Sequence, residues 1–125
     1  MLINFTNHPS DKWSEKQLNT AKEIYGTILD YKFPEVPPEA DEKEIKRMAE
    51  KYFTMIAAAF DSCANEPYPQ AVHIQGEFTL VYRLVSLLRS SGITCVASTT
   101  QRIVEEHPDG SRIYNFEFVR FREYV

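Results

Sequence analysis

Short apolar runs alternate along the chain with longer segments in which apolar residues recur every three or four positions. This alternation predicts strands and helices in turn, because strands covered on both faces are short and apolar, whereas an amphipathic helix shows the longer period. The predicted strands span residues 2–5, 27–31, 71–74 and 93–97. The predicted helices begin at Ser14, at Asp41 and after Gly76.

Local signals support the helix boundaries. Ser14 with Gln17, and Asp41 with Glu44, have the spacing of N-terminal caps, and Gly26 is placed to end the first helix. Strands and helices in alternation build a parallel sheet with right-handed crossovers. We expect the strand order 2-1-3-4, with a switch point between the first and third strands.

The last third of the chain has a different pattern. Residues 102–104 and 113–121 flank a turn at Pro108, Asp109 and Gly110, which predicts a β-hairpin. The predicted fold is therefore a Rossmann-like, three-layer α/β domain with about four parallel strands, flanking helices and a C-terminal antiparallel hairpin. We expect one domain over residues 1–125, with residues 101–125 as the hairpin extension.

Composition and charge narrow the functional classes. The formal net charge of −4 argues against binding to long DNA or RNA, which depends on basic surface. No apolar run approaches the ~20 residues that span a membrane, and the N-terminus lacks the features of a signal peptide. We expect a cytoplasmic protein with reduced Cys63 and Cys95. Without a CxxC motif or a His/Cys cluster, we expect no metal and no cofactor.

Three segments hold the candidate binding residues. Ligands of open parallel sheets bind at the carboxyl ends of the strands, near the switch point. We expect three loops to converge there and to hold a polar, phosphate-bearing ligand. The first carries Asn7, His8 and Ser10, the second Gln75, Gly76 and Glu77, and the third Ser98, Thr99, Thr100 and Arg102.

Each of these residues also has a structural explanation. Gly76 could bring its amide close to a ligand or could only form a tight turn. Glu77 could act as a base or could only sit favourably at a helix start. His8 could act on a ligand or could cap a nearby backbone group, and the hydroxyls after the fourth strand could cap a turn. His73, in mid-strand, is interpreted as a hydrogen-bonded core histidine.

Two stretches carry a family resemblance. They are Val72-His73-Ile74-Gln75-Gly76-Glu77-Phe78-Thr79 and Cys95-Val96-Ala97-Ser98-Thr99-Thr100. The chain resembles small CRISPR-associated proteins with a CARF-like (CRISPR-associated Rossmann fold) domain. Its opening, Leu2 to Ser10 with Gln17 beyond, looks like the start of the stand-alone ring nucleases of that group, in which a histidine-containing loop follows the first strand.

The resemblance implies a homodimer that binds a cyclic oligoadenylate and cleaves it without a metal ion. The 2′-hydroxyl of a ribose would attack the adjacent phosphate and leave a 2′,3′-cyclic phosphate. On the matching positions, Asn7, His8 and Ser10 would act on ribose and phosphate. Gly76 and Thr79 would offer donors, and Ser98, Thr99 and Arg102 would complete the phosphate site, as the resemblance implies.

Two other functions stay open at this point. The protein could be a non-catalytic nucleotide sensor with the same fold and site, or an interaction module that docks a partner through its C-terminal hairpin. No strong catalytic dyad is evident in the sequence. Binding without turnover would favour the sensor, and the absence of any response to nucleotides would favour the module.

Overall fold

The computed structural model describes residues 1–125 as five strands and three α-helices. The strands are β1 (Leu2–Thr6), β2 (Ile28–Lys32), β3 (Ala71–Ile74), β4 (Thr94–Glu106) and β5 (Arg112–Glu123). The helices are α1 (Glu15–Tyr25), α2 (Glu42–Asp61) and α3 (Phe78–Ser90), and a short 3-10 turn covers Ser10–Lys12.

The helix boundaries follow the local signals in the sequence. The Ser14 side chain accepts a hydrogen bond from the Gln17 amide at 3.2 Å, and the Asp41 side chain accepts one from the Glu44 amide at 2.9 Å. Gly26 follows α1 with a φ of 79°, a left-handed conformation that residues with a Cβ rarely adopt. Both predicted caps are confirmed.

The sheet has the order β2-β1-β3-β4-β5. The first four strands run parallel, and β5 pairs antiparallel with β4. This confirms the predicted α/β fold with its parallel strands and C-terminal hairpin. It also confirms the switch point between β1 and β3, where the chain first moves to one side of β1 and then to the other.

The two faces of the sheet bury separate cores. One face packs against α2 and α3 and includes Ile3, Phe5, Val72 and Ile74. The other packs against α1, with these buried residues: Leu2, Ala21, Tyr25, Ala71, Val96, Phe118 and Phe121. Because side chains alternate along a strand, the polar residues Asn4, Thr6 and His73 all lie on the α1 face.

One prediction about the fourth strand is wrong. The predicted strand ends at residue 97 and is followed by a loop, but β4 continues to Glu106 through a β-bulge between Thr99 and Thr100. The strand continues because β5 supplies a hydrogen-bonding partner along this whole length, from Glu123 opposite Val96 to Arg112 opposite Glu106. Ser98, Thr99, Thr100 and Arg102 therefore belong to a strand.

Part of the hairpin belongs to the core of the domain, whereas the sequence predicted an extension over residues 101–125. Phe118 and Phe121 of β5 are buried beneath α1, so the second half of β5 forms part of the core. Only the distal part of the hairpin is mostly exposed. No helix of the protein combines the length and the apolar character that crossing a membrane requires.

Candidate functional site

A cavity of about 460 Å³ opens on the α1 face of the sheet, where β1, β3 and β4 reach their neighbouring loops. We call it the His73 cavity. Four residues predicted as site residues line it: His8, Gln75, Ser98 and Thr100. Seven others complete the lining: Lys12, Trp13, Ser14, Gln17, His73, Phe116 and Phe118.

A buried amide stands beneath the cavity. Asn4, which is 1% exposed, donates from Nδ2 to the His8 carbonyl at 2.8 Å and to Oδ1 of Asp30 at 2.7 Å. Its Oδ1 lies 2.9 Å from Nδ1 of His73 and accepts from the Thr6 hydroxyl at 3.0 Å. All the hydrogen-bonding atoms of this amide are therefore engaged, which fixes its orientation.

His73 forms part of the cavity wall and is 1% exposed. Its ring meets those of Trp13 and Phe121 edge-on, with centroids 5.4 and 5.3 Å away. Nδ1 is bonded to Asn4, but Nε2 is buried and has no hydrogen-bond partner. Burial lowers the pKa of His73 from 6.5 to about 4, with nearby Gln75 opposing the shift and the charge of His8 adding to it.

The loop after β1 is held through the backbone of His8. The carbonyl oxygen of His8 accepts from Nδ2 of Asn4 and from the Trp13 indole Nε1 at 3.0 Å, and the His8 amide donates to the Thr6 hydroxyl oxygen at 3.1 Å. These bonds fix the backbone and leave the His8 imidazole exposed beside the cavity. The imidazole of His8 therefore does not cap a backbone group, and it is free to meet a ligand.

Asn7 and Ser10, predicted with His8, lie outside the His73 cavity. The Ser10 amide and hydroxyl both donate to the Asp30 carboxylate, at 3.0 and 2.7 Å, so that Ser10 connects the loop to β2. Asn7 lines a neighbouring cavity of about 470 Å³ over β1 and β2, together with Asp30 and Lys32. The three loop residues therefore do not converge on one point.

Gln75 and Ser98 connect the ends of β3 and β4. The Ser98 hydroxyl donates to Oε1 of Gln75 at 3.0 Å, and Nε2 of Gln75 donates to the Ser98 carbonyl at 3.3 Å. This reciprocal pair positions both side chains at the cavity wall. Thr100 lies further along β4, is exposed and lines the same cavity.

Gly76, Glu77 and Thr79 have structural roles in the start of α3. A Cβ at Gly76 would lie 2.5 Å from a ring carbon of Phe33, so the backbone requires a glycine for packing. The Glu77 side chain caps α3 by accepting from the amides of Thr79 and Leu80, at 3.1 and 2.9 Å. The Thr79 hydroxyl donates to the same carboxylate at 2.7 Å. None of the three lines the His73 cavity.

Thr99 and Arg102 also lie outside the cavity. The Thr99 hydroxyl exchanges hydrogen bonds of 3.2 Å with the backbone of Arg120 at the β-bulge. The Arg102 guanidinium lies 4.2 Å from the ring centroid of Tyr114, across the hairpin. Thr99 and Arg102 therefore lie on strand β4 and contact the hairpin, apart from Ser98 and Thr100 at the cavity.

The charge of the lining differs from that of the whole chain. The protein carries a net charge of −4, but no Asp or Glu lines the His73 cavity, whereas Lys12 does. Ser14, at the start of α1, lies on the same wall, and the positive end of the helix dipole adds to the local potential. No group of three or more His, Cys, Asp or Glu side chains is arranged to hold a metal ion.

Sequence reasoning missed seven of the lining residues, but a signal for His73 was present. Asn4, Thr6 and His73 are polar residues inside strands that are otherwise apolar. A strand alternates its faces, so these residues share one face and mark where a buried polar network lies. Phe116 gave no such signal, since it reaches the cavity only through the register of β5 against β4.

Comparison with protein families identifies the group to which the sequence is related. The model of the uncharacterized protein MJ1673 family matches residues 1–122. The chain belongs to this family. No curated protein and no solved structure matches the sequence. The description of the MJ1673 family names no activity and makes no connection to CRISPR-associated proteins, so the resemblance to ring nucleases stays a prediction.

Proposed function

We propose that the protein binds a cyclic oligoadenylate in the His73 cavity and cleaves it without a metal ion. The observation that carries this proposal is the lining of the cavity. In an acidic protein it contains no carboxylate, and it combines Lys12 and the start of α1 with exposed aromatic surface. Such a wall suits a ligand that has both anionic phosphates and flat bases.

Each part of the lining matches one part of a nucleotide. Lys12 and the N-terminal turn of α1 would take a phosphate. Phe116, which is 69% exposed, offers a free ring face on which a base can stack. Gln75 and Ser98 would supply polar contacts. The volume of about 460 Å³ lies within the ~300–1,000 Å³ of small-ligand sites.

A whole ring of four adenylates is larger than one such cavity. We infer that two copies of the chain would share one ring, in agreement with the homodimer that the resemblance implies. Each copy would then contribute its own Lys12 and Phe116 to half of the ligand. This arrangement predicts a stoichiometry of one ring per two chains.

Cleavage would follow from alignment of the ribose with its neighbouring phosphate. The 2′-oxygen gives its proton to solvent water and forms a bond to phosphorus, while the bond from phosphorus to the 5′-oxygen breaks. The 5′-oxygen takes up a proton, so that the products carry a 2′,3′-cyclic phosphate and a 5′-hydroxyl. The exposed imidazole of His8 is the candidate proton donor, and Lys12 would stabilise the added negative charge.

Two measurements test this function. Calorimetric titration with cyclic tetra-adenylate should give saturable binding, and incubation in EDTA should convert the ring into linear fragments with 2′,3′-cyclic phosphate ends. Lys12→Ala should weaken binding about tenfold or more, because it removes a hydrogen bond to a charged group. Lys16→Ala, which removes an exposed lysine on α1 outside the cavity, should not.

The outcomes separate the alternatives. An intact ring and no heat of binding would refute the proposed function. Binding without cleavage would instead favour the non-catalytic sensor. Loss of binding in both lysine variants would show that net charge, and not the cavity, attracts the ligand.

The interaction module stays a second candidate because of the exposed apolar side chains on the hairpin. Val104, Ile113, Tyr114 and Phe116 are between 44% and 69% exposed. Val104→Glu would place a charge beside Tyr114 and Phe116, which share its face of the hairpin, whereas Ile113 lies on the opposite face. As an interaction module, the protein should give no heat of binding with cyclic tetra-adenylate and should lose its partner in this variant. A dimer seen by sedimentation velocity would not by itself favour the module, because the nucleotide proposal also requires two copies.

A further inference from the structure

The orientation of the Asn4 amide is determined by its partners. Nδ2 lies 2.8 Å from a backbone carbonyl, that of His8, and 2.7 Å from a carboxylate oxygen of Asp30. A carbonyl and a carboxylate can only accept, so the atom between them must be the amine nitrogen. The amide oxygen therefore faces the ring of His73.

The amide oxygen in turn fixes the proton of His73. Oδ1 of Asn4 can only accept a hydrogen bond, and it lies 2.9 Å from Nδ1. Nδ1 must therefore carry a proton. In a neutral imidazole with one proton on Nδ1, the second nitrogen carries a free lone pair. Nε2 is that nitrogen, and no group meets it with the geometry of a hydrogen bond, although the Gln75 side chain is close enough to oppose the lowering of the pKa of His73. Because Nε2 is fully buried, a ligand donor reaches it only when a side chain of the cavity wall moves aside.

We propose that His73 is a specificity-determining residue whose Nε2 accepts a hydrogen bond from an N–H or O–H group of the ligand. Asn4 and Asp30 are positioning residues, which act by holding the proton on Nδ1. Phosphate or carbonyl oxygens are excluded from this point, because two acceptors would then face each other in a buried place. The cavity would then select a ligand that has a hydrogen-bond donor at this point, in addition to negative charge.

The identity of the donor rests on the proposed function. In an adenylate ring, two groups have the required chemistry: the 2′-hydroxyl of the ribose and the exocyclic N6 amine of adenine. Both are donors on a ligand whose remaining polar surface is largely acceptor. Ligand analogues that remove one donor at a time distinguish the two sources.

The tautomer can be measured without any ligand. A long-range ¹H–¹⁵N correlation spectrum at pH 7 separates protonated from unprotonated ring nitrogens. We expect the His73 signal to show a protonated Nδ1 and an unprotonated Nε2. A proton on Nε2, or a doubly protonated ring, would overturn the inference even if the protein binds nucleotides.

The ligand requirement is tested with three rings: cyclic tetra-adenylate, its 2′-O-methyl form and a ring of four purine ribosides, in which a hydrogen atom replaces the N6 amine. We expect the unmodified protein to bind one of the two analogues about tenfold more weakly than the parent ring. His73→Asn provides the matched variant, because its amide can still donate to Asn4 but nothing replaces Nε2. The analogue that the unmodified protein binds weakly should bind to this variant within about twofold of the parent ring.

Equal binding of all three rings by the unmodified protein would overturn the specificity role, as would the same discrimination in His73→Asn. If the unmodified protein binds none of the rings, the proposed function fails, and the spectrum alone decides the inference about His73. Failure of the function and failure of this inference therefore give different results.

Discussion

Acidification should destabilise this protein through His73. Burial lowers the pKa of His73 in the folded chain from 6.5 to about 4, so that between these values the unfolded chain binds a proton that the folded chain excludes. Stability is therefore fully present above pH 6.5 and is lost as the pH falls toward 4. At about 1.4 kcal/mol per pH unit, the whole interval corresponds to about 3 kcal/mol, of which about 2 kcal/mol is lost by pH 5.

Urea unfolding followed by the fluorescence of the single tryptophan, Trp13, measures this loss. His73→Asn removes the titrating ring and keeps a donor toward Asn4. We expect the unmodified protein to lose about 2 kcal/mol more than this variant between pH 7 and pH 5. His8→Gln should retain most of the difference, because His8 is the smallest of the causes that shift the pKa of His73. Equal losses in the unmodified protein and His73→Asn would refute the reasoning.

Three further predictions concern packing, reactivity and capping. Gly76→Ala should lower the free energy of unfolding by about 1–3 kcal/mol, because its Cβ would overlap the Phe33 ring. In a protein that already carries Phe33→Leu, Gly76→Ala should cost less than it does when Phe33 is present. If urea unfolding shows that the two substitutions cost the sum of their separate losses, the prediction is wrong. Burial raises the pKa of Cys95 to about 12, so an alkylating reagent at pH 8 should label Cys63 first in the folded chain and both thiols in urea, as read by mass spectrometry; equal labelling rates in the folded chain would be inconsistent with the burial of Cys95. Glu77→Ala should cost about 1 kcal/mol through loss of the α3 cap, and an unchanged melting temperature would count against that role.

The parts of the fold that depend on nearby residues could be predicted from the sequence. The caps at Ser14 and Asp41 act over three residues, and both are confirmed. The extent of β4 could not be predicted in this way. Ser98 and Thr100 read locally as polar loop residues, and they remain in a strand only because β5 returns alongside them.

In the candidate site too, residues that follow a strand could be predicted from the sequence, but contacts between distant segments could not. His8 and Gln75 were found because they directly follow strands, where ligands of parallel sheets bind. The environment of His73 depends on Asn4, which lies on another strand, and on Trp13, which reaches the ring from the loop after β1. Contacts across such distances are not encoded in the local pattern, which predicted only a core histidine.

The central claim is that the His73 cavity is the nucleotide site, and chemical-shift mapping tests it most directly. On titration of the ¹⁵N-labelled protein with cyclic tetra-adenylate, we expect the largest changes at the Trp13 indole and the Gln75 side-chain amide, both of which lie on the cavity wall. Tyr82, exposed on α3 at the opposite face of the sheet, should show none. Unchanged cavity signals, or changes confined to the surroundings of Tyr82, would contradict the account.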